Sequence, residues 1–276
     1  MYKYLSAKEH ELFNLVRQDM LRDCKETGHG LGHLGRLYTG GIAPSAALIE
    51  TYWLHYNIRT YHAWGMTETT HGSTFSFTPR DATGAAAIET MRVQGKPAYG
   101  NEIRIVDDAG KELPRDGKTP GHLQVRGHWI AGAYFRRDDV AAETEDGWMI
   151  TGDVAVIDPD NTMHIVDRAK DVIKSGGEWI SSPALEEAAC RHPDVAEAAA
   201  LAIPHQRWGE RPLLLLVPRP GKSVSAAAMT EHLAPLVPKF WLPDVITTLP
   251  EFPHGPTGKI EKTTLRTWLK EGKISA

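Results

Sequence analysis

The sequence predicts an α/β fold followed by a smaller α+β unit. Three observations carry that expectation. Residues 36–64 run strand, glycine-containing loop, helix, strand, which is α/β order. From about residue 100 apolar and polar residues alternate with a period of two, as in half-buried strands. After Asp167–Lys170 the pattern resets into helices and strands over roughly 100 residues, near the common domain size. The boundary therefore divides the chain into 1–167 and 168–276.

Taken in order, Ser6 with Glu9 three residues on forms a capping box, and Leu12, Phe13, Val16, Met20 and Leu21 follow at helical spacing. That first helix is expected to end near Thr27–Gly28. "RLYT" at 36–39 is a short strand. Pro44 suits the first turn of the next helix, whose apolar face is Leu48, Ile49, Tyr52, Trp53 and Tyr56. "IRTYHAW" at 58–64 is a strand running into "GMTET". "NEIRIVD" and "HLQVRG" alternate, and a hairpin follows in "WMITGDVAVIDPDNTMHIVD", with "DDAG" and "DPDN" as turns. The last unit reads as a helix opened by Ser182–Pro183, strands "VAEAAALAI" and "RPLLLLVP", a helix after Ser225, the strand "DVITTL" and a final helix "TTLRTWLK".

Bulk properties narrow the function. A formal charge of −4 over 276 residues offers no basic face for nucleic acid. Cys24 and Cys190 lie far apart and outside any C-x-x-C pair, which predicts neither a disulfide nor a zinc site and fits a reducing cytoplasm. The longest apolar run, "LLLLV" at 213–217, is far short of the ~20 residues of a membrane helix. The charged "MYKYLSAKEHELF" start has no signal-peptide core. Gly30, Gly32 and Gly35 spell G-x-G-x-x-G, but this stretch leaves a helix and enters a strand, the reverse of a dinucleotide fingerprint. His29 and His33 fall in that glycine-rich loop, where a four-residue spacing gathers no metal ligands.

Chemistry concentrates at strand ends, where open α/β sheets bind ligands. "GGIAPS" and "AWGMTET" lie about twenty residues apart, each ending a strand. Trp64 can lie against an aromatic ring, Thr67 can meet a phosphate oxygen, and Glu68 is a hard ligand for Mg²⁺. A core tryptophan before a capped helix would read the same. Asp153 in "TGDVA" can accept two hydrogen bonds from a ribose diol or serve as a turn aspartate. Arg168 returns one hairpin later, at the sheet's same end or on bare surface. Lys259 rides the Pro/Gly loop "PHGPTGKIEK", as a solvated lysine or as a mobile cation for a transferring phosphoryl or acyl-phosphate oxygen. In "DRAKDVIKSGGEWISS", clustered charges are followed by paired glycines, as in a pivot or a solvated loop.

The ordered set "GGIAPS … AWGMTET … TGD … DRAKDVIKSGGEWISS … PTGKIEK" resembles the adenylate-forming, AMP-binding superfamily. "KSGGEWISS" and "IPHQRWGERP" are most similar to medium- and long-chain fatty-acyl-CoA ligases and relatives acting on short thio-substituted acids. The resemblance implies part of a large domain, with a parallel α/β layer and a β-barrel-like section, then a small mobile lid domain. It also implies a soluble enzyme of lipid metabolism using ATP/AMP, Mg²⁺, coenzyme A and a carboxylic acid. Gly40, Gly41 and Pro44 would then line the adenine and acyl-adenylate cleft. Trp64, Gly65 and Met66 would flank the nucleotide, Thr67 would bind its phosphate and Glu68 would hold Mg²⁺. Asp153 would grip the ribose beside Arg168. Lys170 would be the hinge between two half-reactions. Lys259 would contact carboxylate and phosphate in the first, and Gly176, Gly177 and Trp179 would face the pantetheine channel in the second. Such a swing is a hinge closure.

The chain departs from this family in one respect. The Ser/Thr/Gly-rich phosphate loop that precedes "GG-x-A-P" in such enzymes has no counterpart before residue 40. The expectation is a C-terminal portion of a ligase, unable to adenylate alone: a fragment, a split gene product whose partner is a separate N-terminal half, or a mis-called start. A carrier-protein thiol or, in a luciferase-like enzyme, oxygen are alternative acceptors. A non-catalytic binding protein is the alternative of another class.

Overall fold

The computed structural model describes residues 20–275 apart from 23, 25, 29, 42–43, 71, 137–143, 145 and 256–257. The capping box at Ser6, most of the first expected helix and His29 lie outside the described residues. The chain forms two compact units, 1–165 and 166–276.

In the first unit, β1 (Arg36–Gly40) pairs in parallel with β2 (Arg59–Trp64), and the helix α1 (Ala46–Tyr56) joins them. Ser45 caps α1, its Oγ accepting from the Leu48 N–H at 3.2 Å. Pro44 therefore precedes the cap by one residue and lies outside the helix rather than in its first turn, because the serine takes the cap. Asn57 ends α1 in a left-handed conformation, returning its N–H to the last turn. Two-residue strands β3 (Thr74–Phe75) and β4 (Lys96–Pro97) extend this sheet with antiparallel pairing, so its parallel character is confined to β1–β2.

Between them lies α2 (Gly84–Arg92), a helix the sequence pattern does not announce. It opens on glycine and alanines with no capping side chain, so nothing local marks its start; its buried residues are Ala87 and Met91. They meet Ile49 of α1, and the α2 carbonyl of Arg92 lies 2.8 Å from His62 Nδ1 of β2. The helices thus cover one face of the β1–β2 pair. The other face carries Tyr38 and Tyr61, stacked at 5.0 Å, beside the exposed Phe77.

β5 (Asn101–Val106), β6 (Gly121–Gly127), β7 (Met149–Ile157) and β8 (Met163–Arg168) form a second, four-stranded sheet in sequence order. Its inward residues include Ile103, Ile105, Leu123, Val125, Met149 and Ile157, the alternation read from the sequence. The expected barrel-like section is this sheet, and it does not close.

In the second unit, β9 (Ile173–Ser175) and β10 (Glu178–Ile180) form a hairpin beside the long antiparallel pair β11 (Val195–His205) and β12 (Gly209–Pro218), and β13 (Val245–Thr248) runs parallel to β12. The "LLLLV" run is a strand buried on both faces. Leu214 and Leu216 join Leu185 of α3 (Ser182–Cys190) and Met229 of α4 (Ala226–Leu233). Leu213, Leu215 and Val217 join Leu265 of α5 (Lys262–Lys270). Apolar alternation to either side explains how five consecutive apolar residues remain one strand.

Candidate active site

Parallel pairing sets Gly40 opposite Ala63, so β1 and β2 end together and release "GG" and "WGMTE" from one edge. Gly41 is exposed and Pro44 buried. After Gly65, residues 67–69 form a single 3-10 turn, and the Met66 N–H donates to Thr69 Oγ1 at 2.9 Å. Thr67 is exposed on that turn.

The indole N–H of Trp64 donates to Oδ2 of the buried Asp153 at 2.8 Å. Asp153 itself is set by β7. Its N–H donates to Thr151 Oγ1 at 3.1 Å, and that hydroxyl donates to the Leu123 carbonyl of β6 at 2.8 Å. Trp64 and Met66 also pack against the apolar core of the four-stranded sheet. Three of the residues singled out in the sequence, Trp64, Met66 and Asp153, therefore meet where the two sheets join.

Glu68 is half-buried and tied to the segment after β6. Its carbonyl accepts from the Ala131 N–H at 2.7 Å, and Oε1 accepts from the Tyr134 hydroxyl at 2.9 Å. That hydrogen bond is the main cause, ahead of burial, that pushes the Tyr134 phenol above its ordinary pKa. Sequence reasoning missed Tyr134 because "WIAGAYF" has neither period nor motif. Among the described residues no cluster of three or more His, Cys, Asp or Glu is gathered to hold a metal. One carboxylate with substrate phosphates is nonetheless sufficient protein ligation for Mg²⁺, which retains water.

In the second unit, Arg168 and Lys259 are exposed and near one another. Desolvation, then the Arg168 guanidinium, lowers the Lys259 ammonium pKa, and water screens much of the effect at an exposed group. Two cations held together favour an anion between them. Lys259 sits on a narrow loop closed by the Gly255 N–H to the Lys259 carbonyl at 2.9 Å and by bridge pairing of His254 with Ile260. Pro256 and Thr257 at its tip lie outside the described residues.

Lys170 is exposed, and its carbonyl accepts from Arg266 of α5 at 3.1 Å, while the same guanidinium pairs with Asp171 at 2.5 Å. Gly176 and Gly177 form the two-residue turn of the β9–β10 hairpin with φ of 61° and 88°, left-handed values that this turn demands. The glycine pair read as a pivot or loop thus has a definite local task. Gly176 lies under the Trp208 ring, where a Cβ would come within 2.7 Å, whereas a Cβ on Gly177 would meet nothing within 4 Å. Trp179 is half-buried with the Lys174 ammonium 4.8 Å from its ring centre.

Two stretches of the chain match known families. Residues 10–135 match the AMP-binding enzyme family and residues 184–259 match the AMP-binding enzyme C-terminal domain. A 3-methylmercaptopropionyl-CoA ligase of Ruegeria lacuscaerulensis is 41% identical over 260 residues, 93% of this chain and 48% of that protein. A medium-chain-fatty-acid–CoA ligase of Ectopseudomonas oleovorans is 40% identical over 91% of this chain and 46% of its own length. Among solved structures, the o-succinylbenzoate CoA synthetase of Bacillus subtilis bound to its acyl-adenylate intermediate superposes with a TM-score of 0.76 at 27% identity, covering 90% of this chain and 49% of that one. The chain spans about half the length of the curated relatives it matches.

Proposed function

We propose, from the premise that the chain belongs to the AMP-binding enzyme family, that it is the C-terminal part of an acid–CoA ligase working through an acyl-adenylate. In that reaction a carboxylate oxygen attacks the α-phosphorus of ATP and pyrophosphate leaves. The coenzyme A thiol then attacks the acyl carbonyl and AMP leaves. The observation that carries this reading is the Trp64–Asp153 pair, an aromatic donor and a buried carboxylate at a strand-end edge, as a nucleoside site requires.

In this reading Gly40, Gly41, Pro44, Gly65 and Met66 border the nucleotide, Thr67 meets its phosphate, and Asp153 takes the ribose hydroxyls. Glu68, oriented by Tyr134, contributes one oxygen to Mg²⁺, which screens phosphate charge when bound. Arg168 and Lys259 supply positive charge to the carboxylate and phosphate. Lys170 is the hinge, and Gly176, Gly177 and Trp179 lie along the pantetheine path. A fatty acid or a short thio-substituted acid is the proposed substrate class, supported by the names of the relatives.

The first step also needs a backbone cradle for the β- and γ-phosphates. We propose that an N-terminal polypeptide supplies it and covers the Tyr38–Tyr61 face, which lines a cleft of about 710 Å³ with Phe77, Arg36 and Arg80. A reducing, cytoplasmic setting suits the two unpaired cysteines.

Ready-made acyl-AMP with coenzyme A, given to the purified chain, tests the reading. Thioester formation is expected, and ATP–pyrophosphate exchange is not. Robust exchange would overturn the need for an N-terminal half; absence of thioester with folded protein would favour a binding role.

A further inference from the structure

Lys262, the first residue of α5, closes a buried polar cluster inside the second unit. Its ammonium lies 2.6 Å from Glu186 Oε1 and 2.7 Å from Ser182 Oγ. Ser182, fully buried, donates both its N–H (2.8 Å) and its hydroxyl (2.6 Å) to Oδ2 of the buried Asp167. Glu186 Oε1 also accepts the Ala200 N–H of β11 at 2.8 Å. The Lys262 and Glu186 side chains are only 14% and 19% exposed, so this is an interior charge cluster rather than a surface pair.

We infer that Lys262 is a positioning residue: through Ser182, Asp167 and Glu186 it holds the Arg168-bearing strand end and the Lys259-bearing loop in fixed register within this unit. The candidate roles of Arg168 and Lys259 rest on the function proposed above; the register itself does not. Asp167 immediately precedes Arg168 and accepts that residue's N–H through Oδ1 at 2.7 Å. Lys262 follows Lys259 by three residues, and the intervening Glu261 N–H donates to the Pro253 carbonyl at 2.8 Å, clamping the loop base. Each exposed cation is therefore within three residues of one end of the same buried cluster.

The chemistry explains why a cation is needed there. Two carboxylates share one interior, and burial, the leading cause, pushes both pKa values up while Lys262 opposes the shift. Removing the ammonium leaves two buried acids without their counter-charge, the costly half of a broken interior pair. It also releases α5 from α3, and with α5 the loop that carries Lys259.

The test reads geometry rather than turnover. Lys259 acylation by acetic anhydride is followed against pH by peptide mass spectrometry, with exposed Lys118 as reference, alongside thermal melting. Because desolvation and then the Arg168 guanidinium lower its pKa, Lys259 is expected to react faster than an isolated lysine near pH 8.5. Lys262→Met is expected to lower that relative rate about threefold. Lys262→Arg is expected to restore it, and Ser182→Ala to lower it partway. Unchanged Lys259 reactivity in folded Lys262→Met overturns the inference. If that variant does not fold, unchanged reactivity in Ser182→Ala does the same. Loss of thioester activity with normal Lys259 titration in the wild type would instead count against the proposed function alone.

Discussion

Trp64 and Asp153, 89 positions apart, share one hydrogen bond of 2.8 Å between the end of β2 and β7. The indole fixes which way a buried carboxylate points, and the carboxylate fixes the plane of an aromatic ring. Trp64→Phe keeps the ring and deletes the donor. We expect AMP to bind about fivefold to tenfold more weakly, from ~1–1.5 kcal/mol for one hydrogen bond. Calorimetric titration of AMP measures it. An unchanged Kd with an unchanged melting temperature would remove Asp153 from the nucleotide site.

In a complete ligase carrying this sequence, Lys259→Ala is expected to slow adenylation by ~10²–10³-fold, the scale for losing one charged stabiliser. Thioester transfer from supplied acyl-AMP should be largely spared. Lys170→Pro should do the reverse, since proline restricts its own φ and the residue before it. Separate assays of the two half-reactions decide the matter. Equal damage to both steps by both changes would refute the two-orientation mechanism.

The paired glycines separate a folding role from a channel role. Gly176→Ala meets both a left-handed backbone and the Trp208 ring, so a loss of ~2 kcal/mol or more and altered Trp208 fluorescence are expected. Gly177→Ala meets the backbone penalty alone, ~1–2 kcal/mol. If Gly177 borders the pantetheine path, Gly177→Ala also raises the KM for coenzyme A beyond the effect of Gly176→Ala. Equal KM values in both would leave the pair a hairpin turn only.

Gly95 marks a closer backbone approach than any site glycine. It exchanges hydrogen bonds with Met163 at 3.2 and 2.8 Å, and a Cβ there would fall 1.8 Å from the Phe75 carbonyl oxygen. With φ of 78° as well, Gly95→Ala should cost more than ~2 kcal/mol. Urea denaturation measures this; a near-neutral result would mean that the Gly95–Phe75 contact yields easily.

Asp116 gives a pH signature. The Thr119 N–H, then the Lys118 N–H and the Thr119 hydroxyl, stabilise its carboxylate and lower its pKa to about 2. A folded pKa below the unfolded one favours the folded state above about pH 4, and that advantage fades as pH falls through about 2. Asp116→Ala should therefore melt below wild type at pH 7, with the gap narrowing between pH 4 and pH 2. A gap independent of pH would mean that the turn gains nothing from the charge.

The sequence by itself determined the local grammar. Pro44 and Ser182–Pro183 announce the starts of α1 and α3, although the caps themselves are Ser45 and Ser181, and period-two alternation lays down β5 to β7. These follow from interactions within a few residues, which local residue order dictates. It also marked Trp64, Asp153, Arg168 and Lys259 as candidates, through the order of their motifs along the chain rather than through any one of them. Only the tertiary structure decided their partners. Tyr134 reaches Glu68 across 66 positions, and Lys262 reaches Ser182 across 80. The turn role of Gly176–Gly177 and the two-sided burial of the leucine run likewise appear only once strands pair. The reason is physical: a buried hydrogen bond or ion pair forms where packing excludes water and brings distant segments together, and no local pattern encodes which segments those are.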